Sequence, residues 1–148
     1  MPSVNIYLTY NGNCEEAFRF YKSIFGGEFA YVGRYKDMPP QEGSKPVSPE
    51  EGEKIMHISL PISNETMLMG SDTGGEWAAT YQQGNNFAIS VNAGSKEEAD
   101  HIFAGLSEGG KVTMPMSATF WGDYFGMWTD KFGINWMMSF NEHPTPKP

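Results

Sequence analysis

The stretch Trp121–Phe140, which reads WGDYFGMWTDKFGINWMMSF, carries the strongest structural pattern in the chain. From Ile134 to Phe140, apolar side chains at even positions alternate with Asn, Met and Ser at odd positions, as in a strand. The turn-like run 130–133 would join this strand to an earlier one at Phe125–Thr129. The stretch therefore predicts an aromatic hairpin with one apolar face, which a helix or second sheet must cover, and one mixed face that can line a cavity.

The opening residues predict a strand followed by a helix. Val4–Tyr10 alternates between apolar and polar side chains, which is typical of a half-buried strand. Asn13 with Glu16 three residues later resembles a capping box, and Gly26–Gly27 predicts a helix end with an αL cap. The predicted inward stripe of this helix is Ala17, Phe20, Tyr21, Ile24 and Phe25, and three further strands are predicted at 28–35, 54–63 and 66–71.

The same order of elements returns 82 residues later. Glu97-Glu98-Ala99 repeats Glu15-Glu16-Ala17, Ser95 repeats the helix cap, and Gly109–Gly110 repeats the double glycine. Strands are predicted on either side of this second helix, at 86–91, 111–118, 124–129 and 134–140. The chain is therefore predicted to be an α+β protein of two βαβββ modules, residues 1–73 and 85–142, followed by a flexible tail at 143–148.

Two segments predict irregular structure. Asp37–Glu53 is so rich in Pro, Glu and Gly that no packed element is expected in it. It is either a lid over a pocket or a solvated surface loop, and composition alone leaves both open. Residues 72–84 form a second irregular link, where two halves can join.

Bulk composition excludes several classes of protein. The net charge of −8 argues against a nucleic-acid or anionic-membrane surface, and no apolar run approaches the roughly 18 residues of a membrane span. The single cysteine cannot form an internal disulfide. The chain opens directly into a strand pattern without a signal segment, so a cytoplasmic protein is expected.

These patterns resemble the PhnB-like branch of the vicinal oxygen chelate superfamily, which includes glyoxalase I, bleomycin and fosfomycin resistance proteins and extradiol dioxygenases. The resemblance extends over almost the whole chain. Its most specific segment is 121–137, and it is also carried by residues 7–21 and by Met56-His57. It implies that each module curls its sheet into half a barrel, with the helix behind and a pocket in front, and it implies a homodimer.

The resemblance also implies where a metal would bind. Relatives that use a metal take one His or Glu from the first and last strands of each module. Here those positions are Asn5, Asn86, Met69 or Gly70, and Met137, none of which is a plausible ligand for a hard divalent ion. No metal and no other cofactor is therefore expected.

Strand parity predicts which residues line the pocket. His57 should face it as a general base or as a ligand-orienting group, whereas Met56, Ile58 and Leu60 should face the helix. Trp121, Asp123 and Tyr124 are expected at the hairpin mouth, where aromatic rings can stack on a ligand. The remaining predicted ligand-binding residues are Asn5, Tyr7, Thr9, Met69, Asn86, Asn135 and Met137.

Two functions of different classes fit this pattern. The first is metal-independent binding of a small organic molecule, and the net negative charge of the chain would suit a cationic aromatic ligand. The second is an isomerase, lyase or dioxygenase-type enzyme that uses His57 as its base. Each of these residues also has a structural interpretation, in which His57 is simply hydrogen-bonded and the predicted lining fills a closed core. Cys14, in the first turn of a helix without a neighbouring His or Cys, is expected to be inert.

Overall fold

A computed structural model describes residues 2–39 and 47–141, with the backbone alone at 75–77. The chain divides into two compact units, residues 1–82 and 83–148. The predicted module ranges 1–73 and 85–142 fall within these units, and the predicted tail at 143–148 lies outside the described residues. None of the described helices is long and apolar enough to cross a membrane.

The first unit is a four-stranded sheet with one long helix. The strand order is β1-β4-β3-β2, in which β1 and β4 are parallel and the other pairs are antiparallel. Short 3-10 turns occupy 35–37 and 75–80. The elements are β1 (Ile6–Tyr10), α1 (Cys14–Phe25), β2 (Tyr31–Arg34), α2 (Pro49–Gly52), β3 (Ile55–Pro61) and β4 (Met67–Asp72).

The second unit repeats this topology. Its strand order is β5-β8-β7-β6, and again the first and last strands of the unit are parallel neighbours. Cys14 and Phe25 bound α1, and adding 82 to each number gives Lys96 and Ser107, the bounds of α3. The prediction of an α+β fold with two βαβββ modules is confirmed, and neither sheet closes on itself. The elements are β5 (Ile89–Asn92), α3 (Lys96–Ser107), β6 (Lys111–Ala118), β7 (Tyr124–Thr129) and β8 (Asn135–Phe140).

Helix α1 packs on β3 and β4 through a slightly different stripe from the predicted one. Ala17 and Tyr21 are buried as expected, but Phe18 is also fully buried, whereas Phe20, Ile24 and Phe25 remain partly exposed. Phe18 can pack against the sheet at Gly70 because Gly70 has no side chain: a Cβ there would lie 2.7 Å from the Phe18 ring. The fit of the large Phe18 on α1 against the small Gly70 on β4 therefore sets how α1 is rotated about its own axis on the sheet.

The start of α1 is capped by a distant residue rather than by its own N-cap. Asn13 occupies the N-cap position, but its side chain makes no capping bond, so the predicted capping box is wrong. One Asp72 carboxylate oxygen instead accepts hydrogen bonds from the backbone N–H of Gly12 at 3.0 Å and of Cys14 at 2.9 Å. At the other end, Gly26 has φ 83° as expected but ψ −169°, so it is not the predicted αL residue.

Part of the predicted loop 37–53 is structured. Pro49–Gly52 forms a helical turn, with the Ser48 side chain accepting from the N–H of Glu51, so the expectation that no element packs there is wrong. The Lys36 ammonium bonds Glu53 at 2.7 Å, which fixes the end of this turn. A Pro-rich and Glu-rich segment can form a turn because Pro suits the first helical position and Glu suits the N-terminus. Residues 40–46 lie outside the described part, and the lid stays a prediction.

Strand β3 contains a bulge that corrects the predicted parity. Gly33 pairs with His57 but the next residue, Arg34, pairs with Ile55, so Met56 is the extra residue. Ile55 is therefore buried on the helix side, and Met56, predicted there, is only half-buried. His57 remains on the opposite face, as predicted.

The core of the second unit is built on two stacked indoles. The Trp128 and Trp136 rings are almost parallel, with centroids 6.1 Å apart, and Phe103 of α3 meets Trp128 edge-on. The Trp136 indole N–H donates to the buried Asp130 carboxylate at 2.8 Å. The apolar face predicted for β8 is thus the face that α3 covers.

Candidate functional site

One face of the first sheet points away from α1, and we call it the helix-free face. Met69 pairs with both Tyr7 and Ser59, and Ser59 pairs with Tyr31, so these residues form one row across all four strands. Residues directly opposite each other on paired strands share a face, and so do residues two positions apart on one strand. The pairs Thr9–Ser71 and Gly33–His57 therefore form a second row on the helix-free face. By strand register the helix-free face carries Tyr7, Thr9, Tyr31, Gly33, His57, Ser59, Met69 and Ser71.

Three rings converge on this face. Tyr7 extends from β1 and Tyr31 from β2, the two edge strands, and the imidazole of His57 lies between them. The His57 ring centroid is 5.7 Å from that of Tyr7 and 5.8 Å from that of Tyr31, with interplanar angles of 34° and 45°. These distances lie in the range of favourable aromatic pairs. We call Tyr7, His57 and Tyr31 the ring cluster.

The ring cluster is partly open to solvent. Tyr7 is 48% exposed, Tyr31 is 49% exposed, and His57 is half-buried. Among the residues that the structure describes, no side chain or backbone group hydrogen-bonds to either phenol or to the imidazole. The cluster therefore presents aromatic surface and unused polar atoms together.

Gly33 determines where the Tyr31 ring lies. It pairs with His57 and follows Tyr31 by two residues, so all three share the helix-free face. A Cβ at Gly33 would lie 2.6 Å from the Tyr31 hydroxyl and 2.7 Å from the ring. The absence of a side chain at this position therefore lets Tyr31 lean across toward His57.

The four described strands of the first unit place no Asp, Glu, Lys or Arg on the helix-free face. Arg34 follows Gly33 on β2, but its guanidinium turns to the α1 side and binds both carboxylate oxygens of Glu15, at 3.0 and 2.8 Å. These bonds from Arg34 are the largest cause lowering the pKa of Glu15 to about 2. The Arg34–Glu15 ion pair thus lies on the α1 side of the sheet rather than on the helix-free face.

The other residues predicted in the first unit lie around the ring cluster. Met69 sits in the same row as Tyr7, and Thr9 pairs with Ser71 in the adjoining row. Asn5 precedes β1, and its side-chain oxygen accepts from the backbone N–H of Met67, which ties it to the start of β4. The structure thus places Tyr7, Thr9, His57 and Met69 together, with Asn5 at one end.

In the second unit, Asn135 and Met137 share the face of the sheet opposite α3. The Asn135 side-chain oxygen accepts from the Thr129 hydroxyl at 2.7 Å, so part of its hydrogen-bonding capacity is already used. Asn86 is exposed and lies three residues before β5 begins at Ile89. Asn86 is therefore not on a strand, contrary to the prediction.

The turn between β6 and β7 carries Trp121 and Asp123. Thr119 closes this turn through backbone and side-chain bonds to Asp123, and the Asp123 carboxylate accepts from Asn141 at 2.9 Å. Trp121 is 53% exposed and meets Phe125 edge-on at 6.0 Å. The bond to Asn141 holds this turn beside the end of β8, at the open end of the predicted hairpin, and ligand binding by Trp121 and Asp123 stays a prediction.

Tyr124 lies on the other side of the second sheet from Met137. Its hydroxyl donates to Asp100 of α3 at 2.6 Å, and the Lys96 ammonium lies 5.0 Å from its ring centroid. The hydrogen bond to Asp100 raises the pKa of the Tyr124 phenol. The structure therefore separates Tyr124 from Asn135 and Met137, which lie on the opposite face of the sheet.

Burial determines the reactivity of Cys14, the single cysteine of the chain. Cys14 is fully buried, and that burial, followed by the nearby Asp72 and Glu15 charges, raises the pKa of its thiol. A protonated, inaccessible thiol is a poor nucleophile, in keeping with the inert cysteine that was expected.

Within residues 2–39 and 47–141, no three His, Cys, Asp or Glu side chains are grouped so that they could hold a metal ion.

Sequence reasoning missed Tyr31 and Gly33. Tyr31 was predicted only as part of a strand at 28–35, with no assigned face. The helpful signal is its spacing: Tyr31 and Gly33 have the same parity on β2, and a glycine inside a strand marks a place where another group approaches closely. Which group approaches depends on the pairing of β2 with β3.

Comparison with known proteins places the chain in a family. Residues 2–139 match the family model described as 3-demethylubiquinone-9 3-methyltransferase. Protein YjdN of Escherichia coli (strain K12) is 30% identical over 145 residues, which are 94% of this chain and 96% of YjdN. The crystal structure of protein PA1353 from Pseudomonas aeruginosa superposes with a TM-score of 0.79 at 36% identity, covering 95% of this chain and 98% of that one.

A Bacillus cereus protein described as a putative 3-demethylubiquinone-9 3-methyltransferase, PhnB protein, has the same fold. Its TM-score is 0.70 at 24% identity, with 94% of this chain and 99% of that chain covered. The family match and the 30% identity to YjdN extend over nearly the whole chain, well beyond one motif. The chain therefore belongs to the PhnB-like family, whose family model bears the 3-demethylubiquinone-9 3-methyltransferase description.

Proposed function

We propose that this protein binds a small organic molecule on the helix-free face of its first sheet. The observation that carries the proposal is the ring cluster, in which Tyr7 and Tyr31 flank the His57 imidazole at 5.7 and 5.8 Å. Binding sites for small molecules combine aromatic surface with a few polar groups that orient the ligand. The phenols and the imidazole supply both.

The proposal does not call for a metal. The ligand positions that the resemblance implies are Asn5, Asn86, Met69 or Gly70, and Met137, and none of them is a His, Asp or Glu. Titration of the purified protein with Mn²⁺ and Zn²⁺, followed by isothermal calorimetry and elemental analysis, tests this point. We expect no stoichiometric uptake, and a tight site with one ion per chain would contradict the metal-independent part of the proposal.

The binding itself is tested by nuclear magnetic resonance with a library of small fragments. We expect some fragments to shift the ring resonances of His57 and of the two tyrosines. Gly33→Ala keeps all three rings but displaces Tyr31, and it should weaken binding of those fragments about tenfold. Tyr31→Leu should weaken it at least as much.

The control is Tyr81→Leu, which removes a partly exposed tyrosine outside the ring cluster. It should leave fragment affinity unchanged, and thermal unfolding of each variant shows whether it folds. If fragments bind equally well to the wild type, Gly33→Ala and Tyr31→Leu, the site lies elsewhere. If no fragment binds at all, small-molecule binding at this face is wrong.

A second candidate is catalysis by a glyoxalase-like isomerase or lyase, or by a dioxygenase-type enzyme, with His57 as general base. It is favoured by an imidazole that is half-buried and not sealed off by apolar neighbours. A general base is usually oriented by a second group, and within the described residues none bonds His57. Turnover of a bound fragment by the wild type but not by His57→Gln would favour this candidate over binding alone.

The family description also names methyl transfer. Methyltransferases of the Rossmann type bind their cofactor at a glycine-rich loop after a parallel strand, whereas Asn11-Gly12-Asn13 follows β1 here. Calorimetry with S-adenosylmethionine decides the question. We expect no binding, and a saturable heat with one site per chain would make methyl transfer the leading candidate.

A homodimer is part of the proposal. It is supported by two aromatic side chains in the β6–β7 turn, Phe120 at 98% and Trp121 at 53% exposure, which are edge-on to each other at 4.9 Å. Apolar side chains this exposed often mark an association surface. Sedimentation velocity of the wild type and of Phe120→Ser tests it. We expect dimers that dissociate more readily in the variant, and a monomeric wild type at high protein concentration would contradict it.

A further inference from the structure

From the helix-free face we infer the class of ligand: an uncharged, planar aromatic compound with a hydrogen-bonding substituent. The inference rests on the proposed binding function and deepens it. It departs from the expectation, based on net charge alone, of a cationic ligand. The observation that carries it is an aromatic cluster on a face to which the described strands contribute no carboxylate and no Lys or Arg side chain.

Charge on this face decides against an ionised ligand. The acidic residues that give the chain its net charge of −8 are not on the helix-free face by strand register. The closest strand arginine, Arg34, has both its terminal nitrogens bonded to Glu15 on the α1 side. An anionic ligand would lose hydration on this face without gaining a Lys or Arg partner, and a cationic ligand would gain only attraction to ring faces in place of a carboxylate, which disfavours both.

The ring geometry favours a flat ligand. Tyr7 and Tyr31 each leave about half of their surface uncovered, and both are tilted toward His57 rather than stacked on it. A further aromatic ring placed over His57 can contact both tyrosines at ordinary ring–ring distances and cover that surface. Met69, between Tyr7 and Ser59 in the same row, provides a polarisable surface beneath such a ring.

The unused polar atoms favour a hydrogen-bonding substituent. Two phenol hydroxyls and an imidazole surround the position of the ligand, and none of them has a partner among the described residues. A site with polar groups of this kind discriminates against compounds that cannot pair with them. A carbonyl, hydroxyl or amide on the ligand ring would serve as that partner.

Three compounds with one shape and three charges test the inference. They are naphthalene-2-carboxamide, which is neutral, 2-naphthylphosphonate, which is anionic, and naphthalene-2-carboxamidine, which is cationic. Dissociation constants are measured by titration while following the His57 ring resonances. We expect the carboxamide to bind at least about tenfold more tightly than either charged compound, a difference that one unpaired charge readily produces.

Variants at Gly33 and Tyr31 test whether the carboxamide binds at the ring cluster. Gly33→Ala and Tyr31→Leu should each weaken carboxamide binding about tenfold, whereas Tyr31→Phe, which keeps the ring, should weaken it only a few-fold. Because Tyr31 is half-exposed on an edge strand, these changes leave the core intact, and thermal unfolding verifies it. Unsubstituted naphthalene should bind more weakly than the carboxamide.

The outcomes separate the ligand class from the binding function. Tighter binding of the phosphonate or the amidine, with shifts at His57, overturns the uncharged class and leaves binding at this face standing. If all three naphthalenes fail to bind while a fragment of another shape shifts the His57 ring resonances, the inferred ligand class is likewise overturned and binding at this face still stands. Failure of every compound and every fragment overturns both.

Discussion

The Asp72 carboxylate at the end of β4 accepts a 2.9 Å hydrogen bond from the backbone N–H of Cys14, the first residue of α1. The same oxygen accepts from Gly12, and the other oxygen accepts from Ile55 at the start of β3 at 2.9 Å. One buried side chain thus joins the start of the helix to two central strands of the sheet.

Asp72→Ala should lower the free energy of unfolding by at least about 3 kcal/mol, because it leaves backbone donors of Cys14 and Ile55 buried without an acceptor. Asp72→Asn keeps one acceptor oxygen and should lose about half as much. Urea denaturation measures both. Glu65→Ala, at an exposed turn position, is the control and should change stability by less than about 0.5 kcal/mol. Equal stability of Asp72→Ala and the control would contradict this account of the cap.

Glu15→Gln should remove a stabilisation that depends on pH. Arg34 and Arg19 hold the pKa of Glu15 at about 2, below its ordinary 4.5, so the folded state gains stability above pH 4.5 and loses it as the pH falls toward 2. Because the carboxylate is one-third exposed, we expect the variant to lose only about 1 kcal/mol at neutral pH.

Acid unfolding curves check this prediction. The difference between Glu15→Gln and the wild type should shrink as the pH falls toward 2 and vanish below it, where the carboxyl group is protonated in both states. Glu16→Gln, which removes an exposed carboxylate one residue further on, is the matched control. A difference that is constant from neutral pH to pH 2 would mean that packing, rather than charge, is lost at Glu15.

The two stacked indoles should not tolerate substitution equally. Trp136 donates to Asp130, whereas the Trp128 indole N–H has no partner among the described residues. Trp136→Phe should therefore cost about 1–2 kcal/mol more stability than Trp128→Phe, since only Trp136→Phe removes a hydrogen bond to a buried carboxylate. Thermal unfolding of both variants gives the comparison, and a larger loss for Trp128→Phe would contradict it.

Gly70→Ala should destabilise the first unit by about 1–3 kcal/mol. The added Cβ would lie 2.7 Å from the Phe18 ring and 2.8 Å from the Leu8 carbonyl oxygen, so helix and sheet must separate. Gly84→Ala is the matched control, because its Cβ would meet only Asn86, at 3.7 Å. Chemical denaturation measures both, and a neutral Gly70→Ala would show that α1 can shift at no cost.

The sequence by itself determined the elements and their order. The alternation at 134–140, the spacing of apolar residues in both helices and the 82-residue repeat are local or periodic signals, and β8 and α3 lie where they predict. The Ser95 cap was also predictable, because its partner is the N–H of Glu98, three residues away. Parity likewise put His57 on the helix-free face.

Only the tertiary structure decided the contacts between distant residues. At the start of α1, the capping bond is accepted by Asp72 and not by the Asn13 side chain. Asp72 lies 58 positions after Cys14, so no local sequence pattern reveals this contact. The bulge at Met56 and the convergence of Tyr31 on His57 depend on how β2 pairs with β3. Strand register is fixed by the packing of whole faces rather than by neighbours in sequence, so the ring cluster could be recognised only after folding.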